Sequence, residues 1–156
     1  MSSAATDDQH TTAGPGPELT GRLGYLLKHA RLRLSELATA ALAPYGLDGR
    51  ELGVLLVLAS GEPASQQEAA RRLDVDRTTM VALVDALEGK GLVARHPHAA
   101  DRRKNVVELT AAGDAILRAA TQASDDAERR FLAPLTSSAV EQLKDALYTL
   151  VTQPGP

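Results

Sequence analysis

Arg77, Thr78 and Thr79 directly follow Asp76, and Arg102, Arg103 and Lys104 directly follow Asp101. Both runs group hydrogen-bond donors with positive charge. A guanidinium matches the two acceptors of a guanine edge, and threonine can donate, accept or touch a thymine methyl. Lysine and arginine also neutralise phosphates and release the counterions condensed on them. The chemistry on offer is recognition of a charged duplex with readable edges. Catalysis would need a converging nucleophile, base and orienting group. The chain has no cysteine, which removes disulfides, thiolate metal sites and thiol chemistry. Of the four histidines, His96 and His98 could join Asp101 around a metal, but no further ligand spacing supports zinc. No Gly-rich phosphate loop and no paired-carboxylate arrangement occurs. The expectation is no catalytic residue, no metal and no cofactor.

These residues need elements to hold them. The chain has 156 residues, enough for one domain or two very small ones, and 44% of them are hydrophobic. It holds 27 Ala and 24 Leu with only 3% aromatics, which favours helices over sheet. Apolar residues at Leu19, Leu23, Leu26, Ala30, Leu34, Leu37 and Ala41 predict one long amphipathic helix ending before Pro44. A buried helix follows over 48–60. Ser65 and Glu68 read as a capping box opening a third helix to Leu73. Asp76 caps a fourth, with Met80, Leu83, Val84 and Leu87 on its core face. Two short strands, 92–95 and 106–109, flank the polar loop HPHAADRRKN. Thr110 caps a fifth helix, interrupted at Pro134, and a sixth spans 137–151. Residues 1–17 are rich in Ser, Thr, Asp, Gly and Pro and read as a disordered tail.

Two short helices joined by a tight turn, then a basic hairpin, predict a winged helix-turn-helix over 46–110. The helix over 77–89 would enter the major groove, and the wing over 96–105 could reach phosphates or enter the adjacent minor groove. Arg77, Thr78 and Thr79 occupy its first turn, the part nearest base edges, and Val81 adds apolar contact. Ser65 and Gln66 could bond phosphate, and Arg95 at the wing base is a further basic candidate. The charge distribution agrees. Net charge is −3, yet 65–104 carries eight basic against six acidic residues.

The run DVDRTTMVALVDALEGKGLVARHPHAADRRKNVVELTAAG resembles the recognition helix and wing of the MarR family of bacterial transcriptional regulators. Asp101-Arg102-Arg103 followed by Val107-Glu108-Leu109-Thr110 and Gly113 is similar to the family's wing signature, D-x-R-(x)3-[LV]-x-L-T-x-x-G. Leu87 to Arg95 is similar to its L-x-x-x-G-L-[IV]-x-R run. The resemblance implies a mostly α, winged-helix fold: six helices and a two-stranded β-hairpin wing. It implies a homodimer held by dimerisation helices over 18–45 and 111–153, binding a pseudo-palindromic operator, most often as a repressor. Arg103 then resembles the wing-tip arginine of the minor groove, Asp101 the acid that orients it, and Arg102 and Lys104 flanking phosphate contacts. Many members respond to a small aromatic or phenolic ligand, for which His29, Arg33 and Tyr45 are the polar candidates here. Ala82 and Ala86 stand where such helices are often basic, and Asp74 where the turn usually has Gly.

Two other readings compete. A helical enzyme lacks any converging constellation. A winged helix that binds protein instead of DNA gains from the two alanines and the small charge excess of the wing segment. Salt separates it from a DNA reader, because only phosphate binding weakens linearly in log–log form with salt. The N-terminus lacks the apolar core of a signal peptide, and Val54–Ala59 is too short to span a bilayer, so no membrane partner and a cytoplasmic location are expected.

Overall fold

The computed structural model describes residues 16–60, 64–97 and 105–153. The order is α1 (Pro17–Thr20), α2 (Leu23–Leu42), a 3₁₀ turn (Ala43–Tyr45), α3 (Gly49–Ala59), β1 (Ala64–Ser65), α4 (Gln66–Leu73) and α5 (Arg77–Gly89), followed by β2 (Val93–Pro97), β3 (Asn105–Leu109), α6 (Ala111–Leu132) and α7 (Ser137–Thr152). The fold class is the expected one, with two refinements. The long N-terminal helix is divided, because α1 closes at Gly21 and α2 restarts at Leu23. Gly21 lies in the break and Gly24 just inside α2, and glycine has the highest helix cost after proline. The wing also has a third strand: β1 pairs with β3, giving the order β1-β3-β2. Most of the expected tail lies outside the described residues, but Pro17 is the first residue of α1.

The described residues fall into two compact units, divided between Arg33 and Leu34. In the second, Leu42, Leu47, Leu52, Val54, Leu55, Met80, Val84, Leu87, Leu92, Val93 and Val107 form one buried cluster, which Leu117 and Ala120 of α6 complete. The fourth predicted helix thus buries the face its spacing required, while Leu56, inside the apolar run of α3, is exposed. The hairpin strands extend beyond prediction, pairing His96 with Val106 and Pro97 with Asn105. Pro97 is tolerated because β2 is an edge strand.

Caps define where these helices begin. Asp48 and Glu51 form a reciprocal capping box at α3. Ser65 Oγ accepts from Glu68 N–H at 3.2 Å, but the second half of the predicted box is absent: Glu68's carboxylate pairs with Arg71 and Arg72 instead. Thr110 Oγ1 accepts from Gly113 N–H and donates to Gly91 O, joining the start of α6 to the turn before β2.

Candidate nucleic-acid interface

The turn between α4 and α5 is what aims the second helix. Asp74 adopts left-handed geometry (φ 51°, ψ 46°), and its N–H closes α4 on Ala70 and Arg71 carbonyls. Asp tolerates this conformation better than most residues. The chain then re-enters helix at Asp76, whose carboxylate accepts from Thr79 N–H at 2.9 Å and Thr79 Oγ1 at 2.5 Å. These bonds from Thr79, side chain first, hold the Asp76 carboxyl below the usual carboxylate range.

Between the two helices lies an open cavity of about 580 Å³. Its walls carry Ser65, Gln66, Gln67, Arg71 and Arg77, over a floor of Ala70, Val75 and Met80. Arg77 and Thr78 are exposed on the first turn of α5, and among the described residues no carboxylate pairs with Arg77. Ala82 and Ala86 are exposed farther along, and Val81 is half-buried. Thr79 is half-buried and its hydroxyl proton is engaged by Asp76, so it offers an acceptor rather than a donor.

Arg95 is engaged elsewhere. Nη2 donates to Asp85 at 2.5 Å and Nη1 to Glu88, both on α5. Burial works against its charge, but the bonds to Asp85 and Glu88 prevail and raise its pKa above the ordinary value. Asp101, Arg102, Arg103 and Lys104 lie outside the described residues, as does His98. Among the described residues no group of three acids or histidines could hold a metal.

His29 stacks on Tyr25, with ring centroids 4.1 Å apart, and Arg33 is exposed one turn further along the same helix. Tyr45, in the second unit, is half-buried against the core cluster. Sequence reasoning passed over Gln67 and Arg71, which wall the cavity, and over Lys90. Lys90 Nζ donates to Gly46 O at 2.7 Å and to the buried Glu51 at 2.6 Å, tying the end of α5 to the turn before α3. Position 67 follows two candidates already named, and that adjacency was the available signal.

The MarR family model matches residues 45–104. A protein of Thauera aromatica named "putative transcriptional regulatory protein for hcr operon" is 30% identical over 121 residues, covering 77% of this chain and 73% of the relative. The structure of a transcriptional repressor, CouR, bound to a 23-mer DNA duplex superposes with a TM-score of 0.82 at 34% identity, over 88% of this chain and 98% of that one. The chain belongs to the MarR family. It is a transcriptional regulator of the winged-helix type. CouR from Rhodococcus jostii, solved with p-coumaroyl-CoA, matches at a TM-score of 0.77 and 28% identity, over 88% of this chain and 97% of that one.

Family membership gives the L-T-x-x-G run a physical meaning in this chain. Thr110 supplies the cap of α6 and the bond to Gly91, and Gly113 is buried directly against the Leu92 carbonyl. This MarR signature therefore marks the joint where wing and long helix meet. No described helix is long and apolar enough to cross a membrane.

Proposed function

We propose that this MarR-family chain is a homodimeric repressor that reads a pseudo-palindromic operator, and that it binds without catalysing. The observation that carries this reading is the exposed first turn of α5, with Arg77 and Thr78 beside the cavity wall of Gln67 and Arg71. Arg77 is assigned to a guanine edge, Thr78 and Val81 to neighbouring bases, and Ser65 with the free N–H groups at the start of α4 to a phosphate. Arg103 is assigned to the minor groove, oriented by Asp101, with Arg102 and Lys104 at phosphates. A two-fold dimer sets the recognition helices about one DNA turn, ~34 Å, apart. A cytoplasmic location goes with this role.

An aromatic acid or its thioester is the proposed effector, with His29 and Arg33 as candidate contacts. The support is twofold: the Tyr25–His29 ring pair on the helix that also carries the exposed Arg33, and the p-coumaroyl-CoA held by the CouR neighbour. Such a ligand releases DNA only through different affinities for the DNA-competent and incompetent states.

Fluorescence anisotropy on DNA upstream of the chain's own gene, against scrambled DNA at two salt concentrations, tests the reading. Preferential binding that falls with salt and with Arg103→Ala supports it. Binding that ignores sequence, salt and Arg103 contradicts it and favours a protein-binding module.

A further inference from the structure

Arg95 sits on β2 at the base of the wing, where a basic residue would ordinarily meet a phosphate. All three of its guanidinium nitrogens already have partners. Nη2 reaches Asp85 Oδ1 at 2.5 Å and Nη1 reaches Glu88 Oε2, while its backbone N–H donates to Glu88 Oε1 at 3.2 Å. With the Gln66 amide oriented so that its oxygen faces the guanidinium, that oxygen accepts from Nε at 3.0 Å and Nη2 at 3.1 Å. The side chain is 22% exposed, and two carboxylates outnumber its single charge. Gln66 opens α4, Asp85 and Glu88 lie on α5, and Arg95 belongs to the wing, so one planar group joins three elements.

Resting on the DNA-binding reading above, we propose that Arg95 is a positioning residue and not a phosphate contact. It fixes the base of the wing against the recognition helix and the start of α4, so that all three meet the duplex as one surface. It also neutralises Asp85 and Glu88, two acids that would otherwise face a polyanion unpaired. The fork geometry is what the job requires. A lysine keeps the charge but cannot satisfy two carboxylates and an amide from one plane.

Operator affinity of Arg95→Lys, Arg95→Met and Asp85→Ala, each followed over a salt series, tests the assignment. Circular dichroism and thermal unfolding monitor the fold. Arg95→Lys is expected to lose about tenfold or more in operator affinity despite its charge, the scale of one charge-assisted hydrogen bond. Its slope of log affinity against log salt stays at the parent value. Asp85→Ala, which removes a negative charge, is expected to weaken binding as well, although electrostatics alone would strengthen it. Faster amide exchange over 93–97 and 105–109 in free Arg95→Lys is the accompanying sign of a loosened wing. Parental affinity in Arg95→Lys, tighter binding by Asp85→Ala, or a slope reduced by about 0.9 in Arg95→Met would each mark Arg95 as a phosphate contact and overturn the proposal. If the parent protein itself shows no operator preference, the DNA-binding reading fails first and takes this one with it.

Discussion

A β-carbon placed on Gly113 would lie 1.9 Å from the carbonyl oxygen of Leu92. The contact is backbone, so no side chain can rotate away to relieve it. Gly113→Ala must separate the start of α6 from the β2 approach and should cost about 3 kcal/mol, the upper range for overpacking. Urea unfolding of parent and variant measures it. A midpoint within error of the parent would mean that α6 shifts freely against the wing.

Asp74 is the one described non-glycine residue in the left-handed region, with φ 51°. Glycine relieves the steric cost of that conformation but adds unfolded-chain freedom. The balance predicts that Asp74→Gly gains about 0.5 kcal/mol. Asp74→Val, β-branched at the same φ, should lose about 1–2 kcal/mol. Chemical denaturation of the pair gives the ordering Gly, Asp, Val. A reversed order would contradict the turn geometry.

Asp76 gives an acid-limb prediction. Its folded pKa lies below its unfolded value because Thr79 bonds the ionised carboxylate. The stabilisation is therefore present above the unfolded pKa, about 3.9, and is lost as pH falls through the lower folded value. The stability gap between the parent and Asp76→Asn, followed from pH 7 down to pH 3, should narrow toward the acidic end. A constant gap across that range would remove the carboxylate from the account.

No residue of α7 is buried in the single chain. Tyr148, Leu150 and Val151 are 69%, 68% and 79% exposed, a cluster of large apolar groups that a soluble monomer seldom presents. Leu150→Glu should dissociate the proposed dimer at micromolar concentration without unfolding the protomer, and operator binding should fall with it. Sedimentation velocity reads the mass. A dimer that survives the charge would place the interface elsewhere.

How legible the sequence was depends on whether a pattern was local. The apolar face of α5 and the helix starts at Ser65, Asp76 and Thr110 depend on spacing within one element, and they stand in the structure as read. What was not legible lies between elements. Glu68 had two uses three and four residues away, and pairing with Arg71 and Arg72 displaced half of a capping box. β1 is only two residues long and exists because β3 lies alongside it, so it has no period to detect. Arg95 looked like a free cation because its partners are seven, ten and twenty-nine positions away. The divided N-terminal helix is a milder case, since its apolar stripe runs through Gly21 unbroken while the backbone does not.

Selection of bound sequences from a random DNA pool tests the central claim most directly, because it presumes no operator. A dimer presenting two α5 helices should enrich inverted half-sites whose centres lie about one helical turn, ~10 bp, apart, and Arg77→Ala should relax the choice of base within each half. A pool with no enriched sequence, or with single half-sites at no fixed spacing, would contradict a two-fold reader of DNA.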